Sequence, residues 1–85
     1  MKREEILYCL RQIIAPYVQN DKAFESFNEG TGLLTDLEIN SSNLIDIILD
    51  VEEEFGIEID NESVERMATV QDTVRLIEVH RERAG

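Results

Sequence analysis

The chain has no tryptophan, one cysteine, one proline and four glycines, and only 8 Lys and Arg stand against 19 Asp and Glu in its 85 residues. A single cysteine excludes an internal disulfide. Cys9 falls among Leu7, Leu10, Ile13 and Ile14, a core setting without a basic neighbour to stabilise a thiolate. The shortage of cations gives a net charge of −11, which argues against nucleic acid and anionic membranes as partners. No apolar run approaches the length of a membrane span. The N-terminal MKREEILYCL is charged and then amphipathic, without the apolar stretch of a signal peptide. The expectation is a cytoplasmic protein with no membrane insertion. Its length predicts one domain, residues 1–85, with a core of three or four helices. That is too little chain for an enclosed active site with a lid.

The acids are concentrated, with eleven between Asp36 and Glu65 and no Lys or Arg among them. Such a block steers basic partners toward it, although a plain solvated surface has the same composition. Crowded like charge also opposes compaction. Millimolar Ca²⁺ or Mg²⁺ is therefore expected to raise the melting temperature. A shift no larger than that of matched monovalent salt would refute this.

Apolar residues at helical spacing predict an all-α fold. Ile6, Leu7, Leu10, Ile13, Ile14 and Tyr17 mark a first amphipathic helix. Pro16 disfavours helical geometry in Ala15 and should end or kink it. A long connection follows from about Val18 to Asn40, turning at Gly30 and Gly32. Phe24, Phe27, Leu33, Leu34 and Leu37 are expected to pin it to the bundle. A second helix runs from about Ser41 to Phe55, capped by Asn40 or Ser41. Its buried stripe is Leu44, Ile47, Ile48, Val51 and Phe55, and Gly56 suits a left-handed end. After a short extended link, Asp60 can cap a brief third helix bearing Val64 and Met67. Thr69-x-x-Asp72 opens the last helix as a capping-box variant, with Val70, Val74 and Ile77 inward. Arg81 and Arg83 complement the dipole at its end. The predicted fold is a four-helix bundle with a long first loop and a short third helix.

A helix beginning at Ser41 places Ser41, Ser42, Ile45, Leu49, Glu52 and Glu53 along one side, with Asp46 and Asp50 at the margins. This side lies away from the buried stripe. Apolar anchors within a charged rim have the composition of a docking surface, although the long loop could also bury Ile45 and Leu49. The start of a helix suits a phosphodiester, whose charge is stabilised by unpaired N–H groups and the dipole. By local pattern alone, Ser41 reads equally as a plain helix cap.

Asp36-Leu37, Ser41, Glu52-Glu53-Glu54-Phe55, Gly56-Ile57-Glu58-Ile59 and Thr69-Val70-Gln71 together resemble the acyl carrier protein family. In that family an Asp-Leu-Gly-x-Asp-Ser-Leu motif leads into a helix ending Glu-Glu-Glu-Phe. The resemblance covers nearly the whole chain and is strongest from Leu34 to Val74. By its register, Ser41 is similar to the serine that carries 4'-phosphopantetheine. The pattern departs at Glu38, which replaces a glycine, at Asn40 and Asn43, which replace acids, and at Ser42, which replaces an apolar residue. The lost charge eases repulsion of a bound phosphate. It also weakens steering toward a basic transferase, by up to about 1 kcal/mol for each exposed pair.

The resemblance implies a monomeric carrier with no catalysis of its own. A phosphopantetheinyl transferase, using coenzyme A and Mg²⁺, would load Ser41, and the terminal thiol of the arm would hold an acyl chain as a thioester. Acyl-transferring and chain-elongating enzymes with basic patches would dock at Asn40, Asn43, Ile45, Asp46, Leu49, Glu52 and Glu53. Ile47, Ile48, Val51, Ile59, Val64 and Met67 are candidates for an acyl pocket, and equally for ordinary core. Leu44 is bulkier than the residue often found there and would narrow that pocket. The acidity resembles that of a freestanding fatty-acid-type carrier, and the altered serine neighbourhood points to a specialised one serving polyketide, peptide or modified-lipid assembly.

Two other classes are weaker. The acids of 36–47 superficially suggest a calcium loop, but Ser41 stands where such a loop needs glycine and Ile47 where it needs a bidentate Glu. No metal site is therefore expected. An unmodified acidic helical module that kept the carrier fold is the stronger alternative. His80 has no nucleophile or carboxylate assignable to it and reads as a helix-terminal residue.

Overall fold

A computed structural model describes residues 2–84, with side chains to Glu82. The Arg83 side chain therefore lies outside the described residues. Helix α1, Arg3–Ile14, buries Ile6, Leu10 and Ile14. Cys9, expected in the core, is only half-buried. The α-helix ends at Ile14, but not because Ala15 leaves helical geometry: its φ is −49° and ψ −45°. The chain instead tightens into a 3₁₀ turn, Ala15–Tyr17, containing Pro16. The Ala15 N–H still donates to the Arg11 carbonyl, so the pre-proline restriction yields to that bond.

The long connection is more ordered than expected. It contains a short helix, α2, Asp21–Glu25, capped by Asn20, whose side chain accepts from the Ala23 N–H at 3.1 Å. Phe24 and Phe27 meet edge to face at 5.9 Å, and the Arg11 guanidinium lies 4.4 Å from the Phe24 ring centroid. This cation–π contact ties α2 to α1. Leu33 and Leu37 are buried and Phe24 and Phe27 half-buried, whereas Leu34 is exposed. Ile39 joins the core in its place. Backbone bonds from Leu33 to Ala68, from Val70 to Thr31 and from Gln71 to Glu29 fasten the loop. Gly32 forms an isolated bridge with Thr69; among the described residues there is no named strand. A Cβ on Gly32 would meet the Thr35 hydroxyl, so a larger residue here would have to displace the Thr35 side chain.

Helix α3, Leu44–Phe55, buries Ile47, Ile48 and Val51 and packs on α1. Gly56 ends it in left-handed geometry, φ 65°. Asp60 caps α4, Asn61–Glu65, accepting from the Ser63 N–H at 2.8 Å. Helix α5, Val70–Ala84, packs on α1. Its capping box closes in both directions: Asp72 N–H donates to the Thr69 hydroxyl and Thr69 N–H to the Asp72 carboxylate. Val70, Val74 and Ile77 are fully buried. The all-α bundle thus forms as predicted, with α2 as an added turn of helix. No helix among the described residues is long and apolar enough to cross a membrane.

Candidate modification site and docking face

Asn40 caps the segment that leads into α3. Its extended backbone, φ −64° and ψ 132°, enters a 3₁₀ turn, Ser41–Asn43, before the α-helix begins. The Asn40 side-chain oxygen accepts from the Ser42 N–H at 3.0 Å and from the Ser42 hydroxyl at 2.9 Å. Ser41 is therefore not the cap. It is exposed, and its hydroxyl has no hydrogen-bond partner among the described residues. Ser42, equally exposed, is held by its neighbour.

The turn changes one expectation about anion binding. The N–H groups of Ser42, Asn43 and Leu44 already donate, to the Asn40 side chain, the Asn40 carbonyl and the Ser41 carbonyl. Fewer free donors would face a phosphodiester than a bare helix start would offer, which lessens that stabilisation. Asn43 is half-buried and Asn40 exposed. Asp36, four residues before the cap, accepts from the Gly32 N–H at 2.7 Å, and so holds the turn that leads to Ser41.

Glu38 has φ 55°, the only positive value at a non-glycine among the described residues. Left-handed geometry costs a side-chain-bearing residue about 1–2 kcal/mol, which accounts for the glycine of the family pattern at this position. Glu38→Gly is expected to stabilise the protein by up to about 1 kcal/mol, the strain relieved exceeding the added freedom of the unfolded chain. Glu38→Ala removes the same charge but keeps the strain. Equal melting temperatures for the two variants would show that charge alone matters.

On α3, Ile45 and Leu49 are 65% and 57% exposed. The long loop does not cover them. Asp46, Asp50 and Glu53 are exposed beside them. Asp50 accepts from the Tyr17 hydroxyl at 3.4 Å. Partial burial, with Asp50 and Asp46 nearby, raises the Tyr17 phenol above its usual pKa. Glu52 differs from its acidic neighbours. It is half-buried, and its carboxylate accepts from the Ile59 N–H at 2.7 Å. It therefore braces the link between α3 and α4.

A cleft of about 460 Å³ opens between α3 and the Ile59–Glu65 segment. Of the predicted pocket residues it is lined by Ile48, Ile59 and Val64. Ile47, Val51 and Met67 are buried in the core and do not line it, and neither does Leu44, which is half-buried. Ile45, Leu49 and Glu52, read from sequence as docking residues, form part of the same cleft. Asn61 and Glu65 also line it. Sequence reasoning missed them, although their spacing around Val64 on one helical turn was the available signal.

Among the described residues no group of three or more His, Cys, Asp or Glu is placed to hold a metal ion. His80 donates from Nδ1 to the Leu76 carbonyl at 2.7 Å, one turn back, which makes it part of the α5 terminus. Among the described residues the Ser41 hydroxyl touches no base. An exposed serine at the start of a helix, beside a largely apolar cleft, is the layout of a carrier domain.

Comparison with known proteins agrees. The family described as phosphopantetheine attachment site matches residues 22–77. An acyl carrier protein of Lactobacillus acidophilus is 38% identical over 80 residues, 94% of this chain and 98% of that protein. One of Thermotoga maritima is 36% identical over 76 residues, 89% of this chain and 91% of its own. One of Zymomonas mobilis is 39% identical over 64 residues, 75% of this chain and 77% of its own. The chain belongs to the phosphopantetheine-binding acyl carrier protein family; its cofactor is phosphopantetheine, and it is a carrier and not an enzyme.

Proposed function

We propose that Ser41 is the attachment residue, and that the chain is a monomeric cytoplasmic carrier for enzymes of fatty-acid, polyketide or related lipid biosynthesis. The observation that carries this reading is the exposed, unbonded Ser41 hydroxyl beside a neighbour whose hydroxyl is engaged. When bound, phosphopantetheine supplies the thiol that holds an acyl group as a thioester. Ser41 contributes the oxygen through which the group is attached, and the α3 dipole favours the phosphodiester's charge. Ile45, four residues on, stands at the cleft, and the apolar lining of Ile48, Ile59 and Val64 suits an acyl chain. The residues therefore fit the group and its cargo.

Ile45 and Leu49 serve as apolar anchors, and Asp46 and Glu53 draw in Arg and Lys of the partner. Glu52 has an internal role through Ile59, so Asp46 and Glu53 are the cleaner probes of docking. Asp46→Lys should slow acyl transfer at low salt mainly through the association rate, with little change in melting temperature. An unchanged rate would remove Asp46 from the docking surface.

The function is tested by loading the protein from coenzyme A and then acylating it. One phosphopantetheine, followed by an acyl group released by neutral hydroxylamine, is the expected sequence of masses. An arm that accepts no acyl group would contradict the cargo, and protein that is never modified in its own host would be the unmodified interaction module.

A further inference from the structure

We propose that Asn40 determines which of the two adjacent serines is modified, by engaging the hydroxyl of Ser42 and leaving that of Ser41 free; this rests on the reading of Ser41 as the attachment residue. Exposure does not separate the two, since both are exposed, and they lie in the same 3₁₀ turn. The hydrogen bonds do separate them. Asn40 receives both the N–H and the O–H of Ser42, at 3.0 and 2.9 Å, through one oxygen. The Ser41 side chain has no such partner.

The transfer itself shows why this matters. A serine oxygen bonds to the phosphorus nearest the pantetheine of coenzyme A. The pyrophosphate P–O bond breaks, the adenosine bisphosphate leaves with the electron pair, and the hydroxyl proton passes to a base of the transferase. The Ser42 proton points instead at the Asn40 side-chain oxygen, away from any base of the transferase. Attack by Ser42 first requires breaking that bond. Successive residues of a 3₁₀ turn also point a third of a turn apart, so an arm on Ser42 would leave the helix in another direction. Where the family pattern has an apolar residue, this chain has a second nucleophile, and Asn40 is placed to silence it. Asn40 is a positioning residue and does not touch the reacting atoms.

Two variants separate this from plain capping. Asn40→Gly removes the acceptor, yet glycine is tolerated at an N-cap nearly as well as the polar caps. Asn40→Asp keeps an acceptor oxygen. Wild type and both variants are incubated with coenzyme A, Mg²⁺ and a broad-specificity transferase, and the arm is located by fragmentation mass spectrometry. The same two changes are made in Ser41→Ala, with prolonged incubation to expose slow reaction at Ser42. Wild type and Asn40→Asp should carry the arm on Ser41. Asn40→Gly should raise the Ser42-to-Ser41 ratio, and the Ser42 rate in the Ser41→Ala background, on the order of five- to tenfold, the worth of one hydrogen bond. A structural cap alone would change the overall rate without moving that ratio. An Asn40→Gly protein that keeps the wild-type ratio would overturn the selection while leaving Ser41 as the site. So would an Asn40→Asp protein that shifts as much as Asn40→Gly. A wild type modified elsewhere, or not at all, would overturn both readings.

Discussion

Ser41→Ala keeps its mass over the time in which the wild type, given coenzyme A, Mg²⁺ and a broad-specificity transferase, gains one phosphopantetheine on every molecule. Ser42→Ala gains it as the wild type does. The expected contrast is nearly all or none, because the reaction needs a hydroxyl oxygen and Ser41 alone of the pair presents one without a bond to break. The substitution should leave the fold intact. Ser41 is exposed and caps nothing; Asn40 does that work. Loss of the mass gain would then report lost chemistry and not lost structure, which the melting temperature of Ser41→Ala checks. If Ser41→Ala still gained the arm at the wild-type rate, the attachment residue would have to be moved, with Ser42 the first alternative.

Ile47→Ala and Ile45→Ala, two residues apart on α3, are expected to separate core from docking face. Ile47 is fully buried and Ile45 is 65% exposed. Removing three carbons from the buried site leaves a cavity and costs about 2–5 kcal/mol. In a domain of this size that lowers the melting temperature on the order of 10–30 °C. Since small domains have only about 5–15 kcal/mol in all, and this one carries a net charge of −11, Ile47→Ala is expected to be partly unfolded at physiological temperature. Ile45→Ala should melt within a few degrees of the wild type and instead dissociate faster from partner enzymes, because an exposed side chain gains its burial only in the complex. Equal thermal losses for the two would show that Ile45 is covered in solution.

Much of this division was legible in the sequence. The periodicity of α1, α3 and α5 gave which faces turn inward, because the hydrophobic effect acts on helical spacing whatever the loops do. The caps at Asp60 and Thr69 were also readable, since their partners lie within three residues. What was not readable depends on residues far apart in the chain. Helix α2 is held by Arg11 over Phe24, and Leu34 stays exposed while Ile39 enters the core as the loop folds over it. Glu52 looked like one acid among three, but a bond to Ile59, across the link between two helices, draws it inward. The choice between Asn40 and Ser41 as cap was open because both side chains can accept; the observed backbone at Asn40 settles it. Three of the six candidate pocket residues, Ile47, Val51 and Met67, lie in the core away from the cleft for a similar reason. Ile47 and Val51 share the buried side of α3 with Ile48, and only the placement of α4 selects which of them borders the cleft.

Fragmentation mass spectrometry of the protein purified from its own host is the sharpest test of Ser41 as the attachment residue, because it uses neither a borrowed transferase nor a variant. One phosphopantetheine is expected, carried by a peptide whose fragments place it on Ser41 and leave Ser42 bare. An arm on any other residue, or protein uniformly without one, would contradict that assignment.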